Sequence, residues 1–582
     1  MNKPRLFVYL SPGLAVVLIA LFAPQLGLDH DSAWGKGRVL ILVVGILALL
    51  LGAAAHFYNA SLQEMTRRHS EFVEAMRERA LFRAAPETRA RRITLGVIAI
   101  NLLMALIYVW FVSVGRWTDW PASSNYYDML ATALSHGHIA LETEADPALL
   151  ALPDPYDGQA RANFPFLWDM SLYNGKYYLY WGPAPALIAA GIKLIDPVEI
   201  QDHVIVFTAC LGLLGAQTLL ITTIWKRFYL HLPAWTLFAG ILLAGLVMPI
   251  TWMLNRPEIY EASIASAQFF LVAGVCFALR AFDRPFPSAS FLSLASIFWV
   301  LAIGSRAALL VGILFLVILT LLQTLKLHRM NRDNSLNRSL LAFGLPMLLG
   351  GLALGWYNFA RFGSVFDFGI KHQLTWVNFH QIYNHVASIQ YFGPNLKNYL
   401  LTPFGRMVKF PFLRPMFGKD VGIAENLVPG LFHAEKLTGL VYSFPFFIFG
   451  LIPIALLLKD WLGKRSTAEP TPDLLRWIVL SLAAYVLLEF GALLLFFYST
   501  MRYIADISPM LTVLALIGFW QGYEFIEKRV VWRQLYSTAA LILIVASIVI
   551  PNLLAVSSSN NRFRRLNPEL LERIDAMIRW ER

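Results

Sequence analysis

Residues 93–114 read ITLGVIAINLLMALIYVWFVSV, and residues 117–142, just beyond, read WTDWPASSNYYDMLATALSHGHIALE. The first is apolar along almost its whole length, and at about 1.5 Å per residue it crosses a hydrocarbon core of about 30 Å. The second is polar, aromatic and punctuated by Pro121 and Gly137. That change decides the fold: apolar helices in a membrane, with chemistry gathered where the chain emerges. Together with LWDMSLYNGKYYLYWGPAPAL at 167–187, the emergent stretch collects Asp119, Asp128, His136, His138, Glu142, Asp169 and Lys176 among tyrosines and tryptophans.

Composition agrees. The chain of 582 residues is 57% hydrophobic and 15% charged, with a mean hydropathy of +0.57. Repeated apolar runs of about 20 residues predict an all-α polytopic membrane protein, and no pattern of short alternating strands points to a barrel. The net charge of +11 sits in Arg/Lys clusters between apolar runs, where it sets orientation, so nucleic acid is not the expected partner. Cys210 and Cys276 lie inside apolar runs and read as core residues. The start of the chain reads as an uncleaved first span.

About 13 transmembrane helices are expected, near 6–26, 39–58, 93–114, 203–225, 233–253, 262–279, 291–303, 307–322, 341–357, 437–458, 475–497, 509–525 and 535–554. Residues 61–92 hold Arg67, Arg68, Arg77, Arg79, Arg83, Arg89, Arg91 and Arg92, which places that segment in the cytoplasm. The organisation is then two spans and a basic segment (1–92), a transmembrane core (93–357) with an outer loop at 116–202, a long outer loop (358–436), further spans (437–555) and a basic tail (556–582). The basic clusters alternate consistently only if 184–195 does not cross. It is short and opens on Gly182, Pro183 and Pro185, so a half-helix is predicted. This count puts the tail on the outer side.

Within the outer loop, Asn125, Asp128, Thr132 and Ser135 recur at helical spacing opposite Tyr126, Leu130, Ala133 and Leu134, predicting an amphipathic interfacial helix capped at Gly137. Two histidines flank the cap, too few for a metal site by themselves. DMSLYNGKYYLYWG predicts a hairpin turning at Asn174-Gly175, with Asp169 and Lys176 on opposite arms. Arg256, Glu258 and Glu261 (NRPEIYE), Arg306, Arg361 with Asp367 and His372, and Arg502 with Asp506 all return to the same side. Guanidinium groups match phosphate oxygens in bidentate fashion, so these positions suit an anionic headgroup.

The sequence of a span exit, YYDMLATALSHGH, YNGKYYLYWGPAPAL and a half-helix resembles the first outer loop of C-type (GT-C) membrane glycosyltransferases, similar to protein O-mannosyltransferases and the aminoarabinose or galacturonic-acid transferases. RPEIYE, YNFARFGSVFDFG and STMRYIADISP look like recurring segments of a bacterial branch of that group. The resemblance covers about 93–510. It implies inverting transfer of a sugar from a polyprenyl-phosphate donor to a glycan, lipid or protein acceptor, on the outer face of the bacterial cytoplasmic membrane, among membrane lipids. No cofactor is demanded, and a divalent metal is admitted. A loop carboxylate acts as base and basic groups meet the leaving phosphate. Four residues before Tyr126, where the family carries an acidic pair, this chain has Ala122 and Ser123. Asp169 is then the expected base, with Asp119 and Asp128 as alternatives. Arg256, Arg361, Arg502 and Lys176 are the expected phosphate contacts, with Tyr178, His138 and Glu258 beside the substrate. The same basic cavity and span count also suit a transporter or flippase of lipid-linked glycans, and the missing pair suits an inactive scaffold protein. Abundant Tyr and Trp suit both stacking on sugar and anchoring at the interface.

Overall fold

Among the described residues the long apolar runs are helical. A computed structural model describes residues 14–19, 45, 84–283, 286–331, 335–418, 431–461, 473–558 and 561–578. Most of the spans expected at 6–26 and 39–58 and of the basic segment 61–92 lies outside the described residues. Among those described, nine helices are long and apolar enough to cross a membrane: Arg89–Val112, Asp202–Phe228, Ala234–Asn255, Ile259–Ala281, Ala307–Met330, Leu336–Phe362, Asp473–Leu495, Ser508–Ile526 and Val530–Val556. The protein is thus a mostly helical, multi-pass membrane protein. The chain divides into two compact units, 1–95 with 531–542 and 96–530 with 543–582. The polar face and its loops belong entirely to the second.

Three expected spans depart from a single long helix. The run 233–253 breaks into Ala234–Leu246 and Ile250–Asn255. Ala289–Ser305 has 17 residues. Residues 437–458 break into Leu440–Ser443, a 3₁₀ turn at Pro445–Gly450, and Leu451–Trp461. Pro445 has no N–H to donate to the preceding turn, and its ring disfavours a helical residue before it. Gly518 lets Ser508–Ile526 pack directly on this break: a Cβ there would stand 1.9 Å from the Phe449 carbonyl oxygen.

The outer loop folds from local signals. Tyr126–Ser135 is a helix whose end is a Schellman turn, with Gly137 at φ +80° and bonds from Gly137 N to Leu134 O (3.0 Å) and His138 N to Ala133 O (2.8 Å). Its faces differ from the expected polar and apolar stripes. Asp128 points inward, where Lys193 pairs with it at 2.8 Å and the Ile200 amide donates to it at 2.7 Å. The helix therefore packs on the half-helix Ala184–Lys193 rather than lying free in the interface. That half-helix has ten residues, about 15 Å at the usual rise, and does not span the membrane. Gly182 at its entry meets Gly304 backbone to backbone, since a Cβ would lie 2.0 Å from the Gly304 oxygen.

Ser171–Tyr173 and Lys176–Tyr178 form the expected antiparallel hairpin, with Tyr173 opposite Lys176. Asn174 and Gly175 both take positive φ, 49° and 75°, as a two-residue type I′ turn requires. From the long loop, Asn395 donates to the terminal carbonyls of Asp473–Leu495 and just beyond, at Leu493 (3.1 Å), Leu494 (3.1 Å) and Phe496 (2.6 Å), satisfying acceptors that a helix end leaves open.

The basic tail docks on this same face. Arg562 is buried and donates to Val112 O and Pro121 O, both at 3.1 Å. Asn255 donates to Ala555 O (2.7 Å) and Ser558 Oγ (2.9 Å). The opposite helix ends carry exposed ion pairs such as Lys326–Asp473 (2.9 Å) and Arg476–Asp460 (3.1 Å), which contribute little to stability.

Removing one member of the Asp128–Lys193 pair leaves a carboxylate with a single neutral donor in a mostly buried place. Lys193→Met is expected to destabilise the second unit by about 3 kcal/mol. Lys193→Met with Asp128→Asn should recover most of that loss, as read from thermal unfolding in detergent; equal destabilisation of both variants would refute the pairing.

Candidate active site

Five connections converge at one end of the helices. Arg256 sits in the turn between Ala234–Asn255 and Ile259–Ala281, held there because Asn255 and its carbonyl are bound by the tail. Arg306 follows Ala289–Ser305, Glu435 follows the strand His433–Ala434, and Arg502 lies in the turn Met501–Asp506. Parallel pairing of His433–Ala434 with Tyr498–Ser499 brings Glu435 beside Arg502.

Their polar atoms are close. Arg502 Nη1 reaches both Glu435 oxygens, at 3.0 and 3.1 Å. Thr500 Oγ1 (2.6 Å) and Tyr498 Oη (2.7 Å) donate to the same carboxylate, and Arg256 Nη1 stands 4.0 Å away. Arg256 Nε also meets Glu258 at 3.0 Å and Glu261 at 3.9 Å. Arg306 holds Asp506 through Nε and Nη2 at 2.8–3.0 Å. Tyr260 and Tyr503 roof the guanidiniums, with Arg502 4.6 Å from the Tyr260 centroid and Arg306 5.1 Å from that of Tyr503. Burial alone would push the Glu435 carboxyl up; Arg502, Arg256 and the two hydroxyl donors outweigh it and hold the group down at about 2.

Asp169 enters from the hairpin side on a β-bulge. Its amide donates to Leu374 O at 2.8 Å, while Leu374 N donates to Met170 O at 2.8 Å, so two residues oppose one. Ser171 then pairs with Gln373 in ordinary register. Asp169 takes φ +61°, a conformation that costs free energy in a non-glycine residue and re-aims its side chain off the ladder. The residue is buried. That burial lifts its carboxyl to about 6, against hydrogen bonds from Thr375 and Trp168 and the fields of Arg502 and Arg256. Asp169 forms no ion pair with either arginine, so their fields do not offset its burial.

The other candidates fall elsewhere. Asp119 is exposed and pairs with Arg116 at 2.8 Å. Asp128 is occupied by Lys193. Lys176 is exposed at the hairpin tip and forms no ion pair with buried Asp169. His138, with His136, is exposed and contacts Glu142 at 3.2 Å. Tyr178 packs on Phe362, centroids 5.4 Å apart. Arg361 is buried but bonds Leu179 O (2.6 Å) and Asn358 Oδ1 (2.7 Å) and lies over Tyr357, bracing the hairpin's exit strand. Thus Asp169, Arg256, Glu258 and Arg502 come together, and Asp119, Asp128, Lys176, Tyr178, His138 and Arg361 do not join them. Glu435 and Asp202 escaped the sequence reading. Asp202 accepts from Ser124 Oγ at 2.5 Å at the start of an apolar helix, where a lone acid looks like a span boundary. Among the described residues no three His, Cys, Asp or Glu side chains are placed to hold a metal ion.

The raised Asp169 group destabilises the folded state when ionised: its stability contribution is complete below about pH 4 and is lost as pH rises through about 6. Asp169→Asn is therefore expected to raise stability at pH 7.5 by on the order of 2 kcal/mol, and the gain should vanish near pH 4 in thermal unfolding. Glu435 has the opposite sign, its contribution being present above about pH 4.5 and lost as pH falls toward about 2. Glu435→Gln should cost about 3 kcal/mol, and a double-mutant cycle with Arg502→Met should return a favourable coupling.

No protein-family model matches the chain, and no curated protein matches it significantly. Among solved structures it is similar to the Archaeoglobus fulgidus oligosaccharyltransferase. The apo form gives a TM-score of 0.40 at 14% identity, covering 80% of this chain and 56% of that one. The complex with an inhibitory peptide and a dolichol-phosphate gives 0.40 at 14% identity, covering 79% and 55%. This chain therefore spans little more than half the length of the structures it matches. A TM-score of 0.40 is too low to carry chemistry across, and the site's function rests on its own residues.

Proposed function

We propose that this protein is an inverting glycosyltransferase that moves a sugar from a polyprenyl-phosphate donor to a hydroxyl-bearing acceptor of the cell envelope, at the outer face of the bacterial cytoplasmic membrane. The observation that carries the reading is Asp169: a buried carboxyl lifted to about 6, on a positive-φ bulge, within the field of Arg256 and Arg502. A base works best with a pKa near the operating pH, and burial has moved this one toward it.

In the proposed step Asp169 takes the proton of the acceptor hydroxyl while that oxygen attacks the anomeric carbon from the face opposite the phosphate. The bond from the anomeric carbon to the phosphate oxygen breaks, and its electron pair leaves with the prenyl phosphate, which gains one negative charge. Arg256 and Arg502 meet that charge.

Transfer of radiolabelled sugar from a panel of polyprenyl-phosphate sugars, with the full chain in bilayers, tests the reading. Asp169→Asn is expected to lower turnover by roughly 10²–10⁴-fold, beside Asp119→Asn and Asp128→Asn as comparisons, and wild-type turnover should fall as pH drops below about 6. Label that only changes leaflet would make the protein a transporter. Donor binding without turnover at any pH would make it an inactive scaffold.

A further inference from the structure

Two half-exposed tryptophans lie beside the site. Trp168 is 48% exposed and Trp376 52%; Trp168 precedes Asp169 in the chain, and Trp376 lies two residues beyond Leu374, whose carbonyl accepts from the Asp169 amide. The bulge at Asp169 and Leu374 holds the two segments side by side. On its other flank Trp376 meets His433, ring centroids 4.9 Å apart. His433 in turn stacks on Tyr498 at 5.1 Å and 24°, and the Tyr498 hydroxyl ends on Glu435 at 2.7 Å. A ladder of rings thus runs from the surface to one carboxylate of the cluster, while Trp168 adjoins the other in the chain.

A pyranose has one face of C–H bonds and a rim of hydroxyls. It calls for a flat aromatic surface with acceptors at its edge. An interfacial anchor needs only an outward-facing ring; a ring packed at the head of a ladder that ends on a carboxylate has a different function. We infer that Trp168 and Trp376, backed by His433 and Tyr498, form a sugar-stacking subsite that seats the transferred hexose above Asp169 and Glu435. This deepens the glycosyltransferase reading and rests on it. The two are separable, because the arginines recognise phosphate and the tryptophans recognise the sugar.

The test measures binding to the full chain in nanodiscs of farnesyl phosphate without a sugar and of farnesyl phosphates bearing glucose, mannose or galactose. For at least one hexose the wild type is expected to bind the sugar-bearing probe roughly tenfold more tightly than the sugar-free one. Trp376→Ala and Trp168→Ala should bring that ratio toward one, and Trp376→Phe should keep most of it. A wild-type ratio of one for every hexose, or a ratio that survives both alanine variants, overturns the subsite while leaving the phosphate reading in place. Failure to bind either kind of probe overturns the phosphate reading and the subsite with it. Quenching of Trp376 fluorescence by brominated lipid would assign the ring to the bilayer and overturn the subsite alone.

Discussion

Glu435 meets Arg502 with both carboxylate oxygens, and the order of the whole polar face depends on that contact. One partner comes from the end of the long loop and the other from the turn before Ser508–Ile526, 67 residues later. Arg502 is buried and Glu435 largely shielded at a membrane boundary, where an unpaired charge is costly. The pairing of His433–Ala434 with Tyr498–Ser499 supplies the register, and Thr500 and Tyr498 close the remaining acceptor positions. With Glu435 fixed, Arg256 has an anionic neighbour and Arg502 a fixed direction, so the position of Asp169 relative to both is set by protein and not by solvent.

What the sequence made legible was local or rested on length. The Asn174-Gly175 turn announces itself because few residue pairs tolerate two positive φ angles. The half-helix at Ala184–Lys193 was readable because ten residues cannot span the hydrocarbon. Arg256 and Arg502 could be grouped because both emerge at the same helix ends. The failures have the opposite character. Asp128 fits a polar stripe until Lys193, 65 positions on, turns out to face it. The run 437–458 satisfies hydropathy, yet Pro445 breaks it. Glu435 carries no local mark; only pairing with a strand more than sixty residues away makes it part of the site. Contacts of that separation are decided by tertiary packing, which no window of sequence contains.

Asp169 shows how the site departs from what stability alone would select. Its backbone sits in a region that favours glycine, and its carboxyl is buried without a direct salt bridge. Each departure weakens the fold, and the surrounding ladder to Leu374 and Gln373 supports both. Arg361 contributes from beneath. By binding the Leu179 carbonyl and lying over Tyr357, it fixes the strand that leaves the hairpin. A residue first read as a ligand contact is better understood as part of the frame that keeps Asp169 in place.

The docking of the tail has a consequence for the order of biosynthesis. Arg562 is separated from the Val112 carbonyl it binds by 450 residues, and Ser558 from Asn255 by 303. When the turn holding Arg256 first leaves the translocon, the groups that will fasten it have not been made. They arrive only after the Val530–Val556 helix has been inserted. The polar cluster is therefore a late product of membrane insertion, and a nascent chain stalled before residue 562 would carry Arg256 on an unfastened turn.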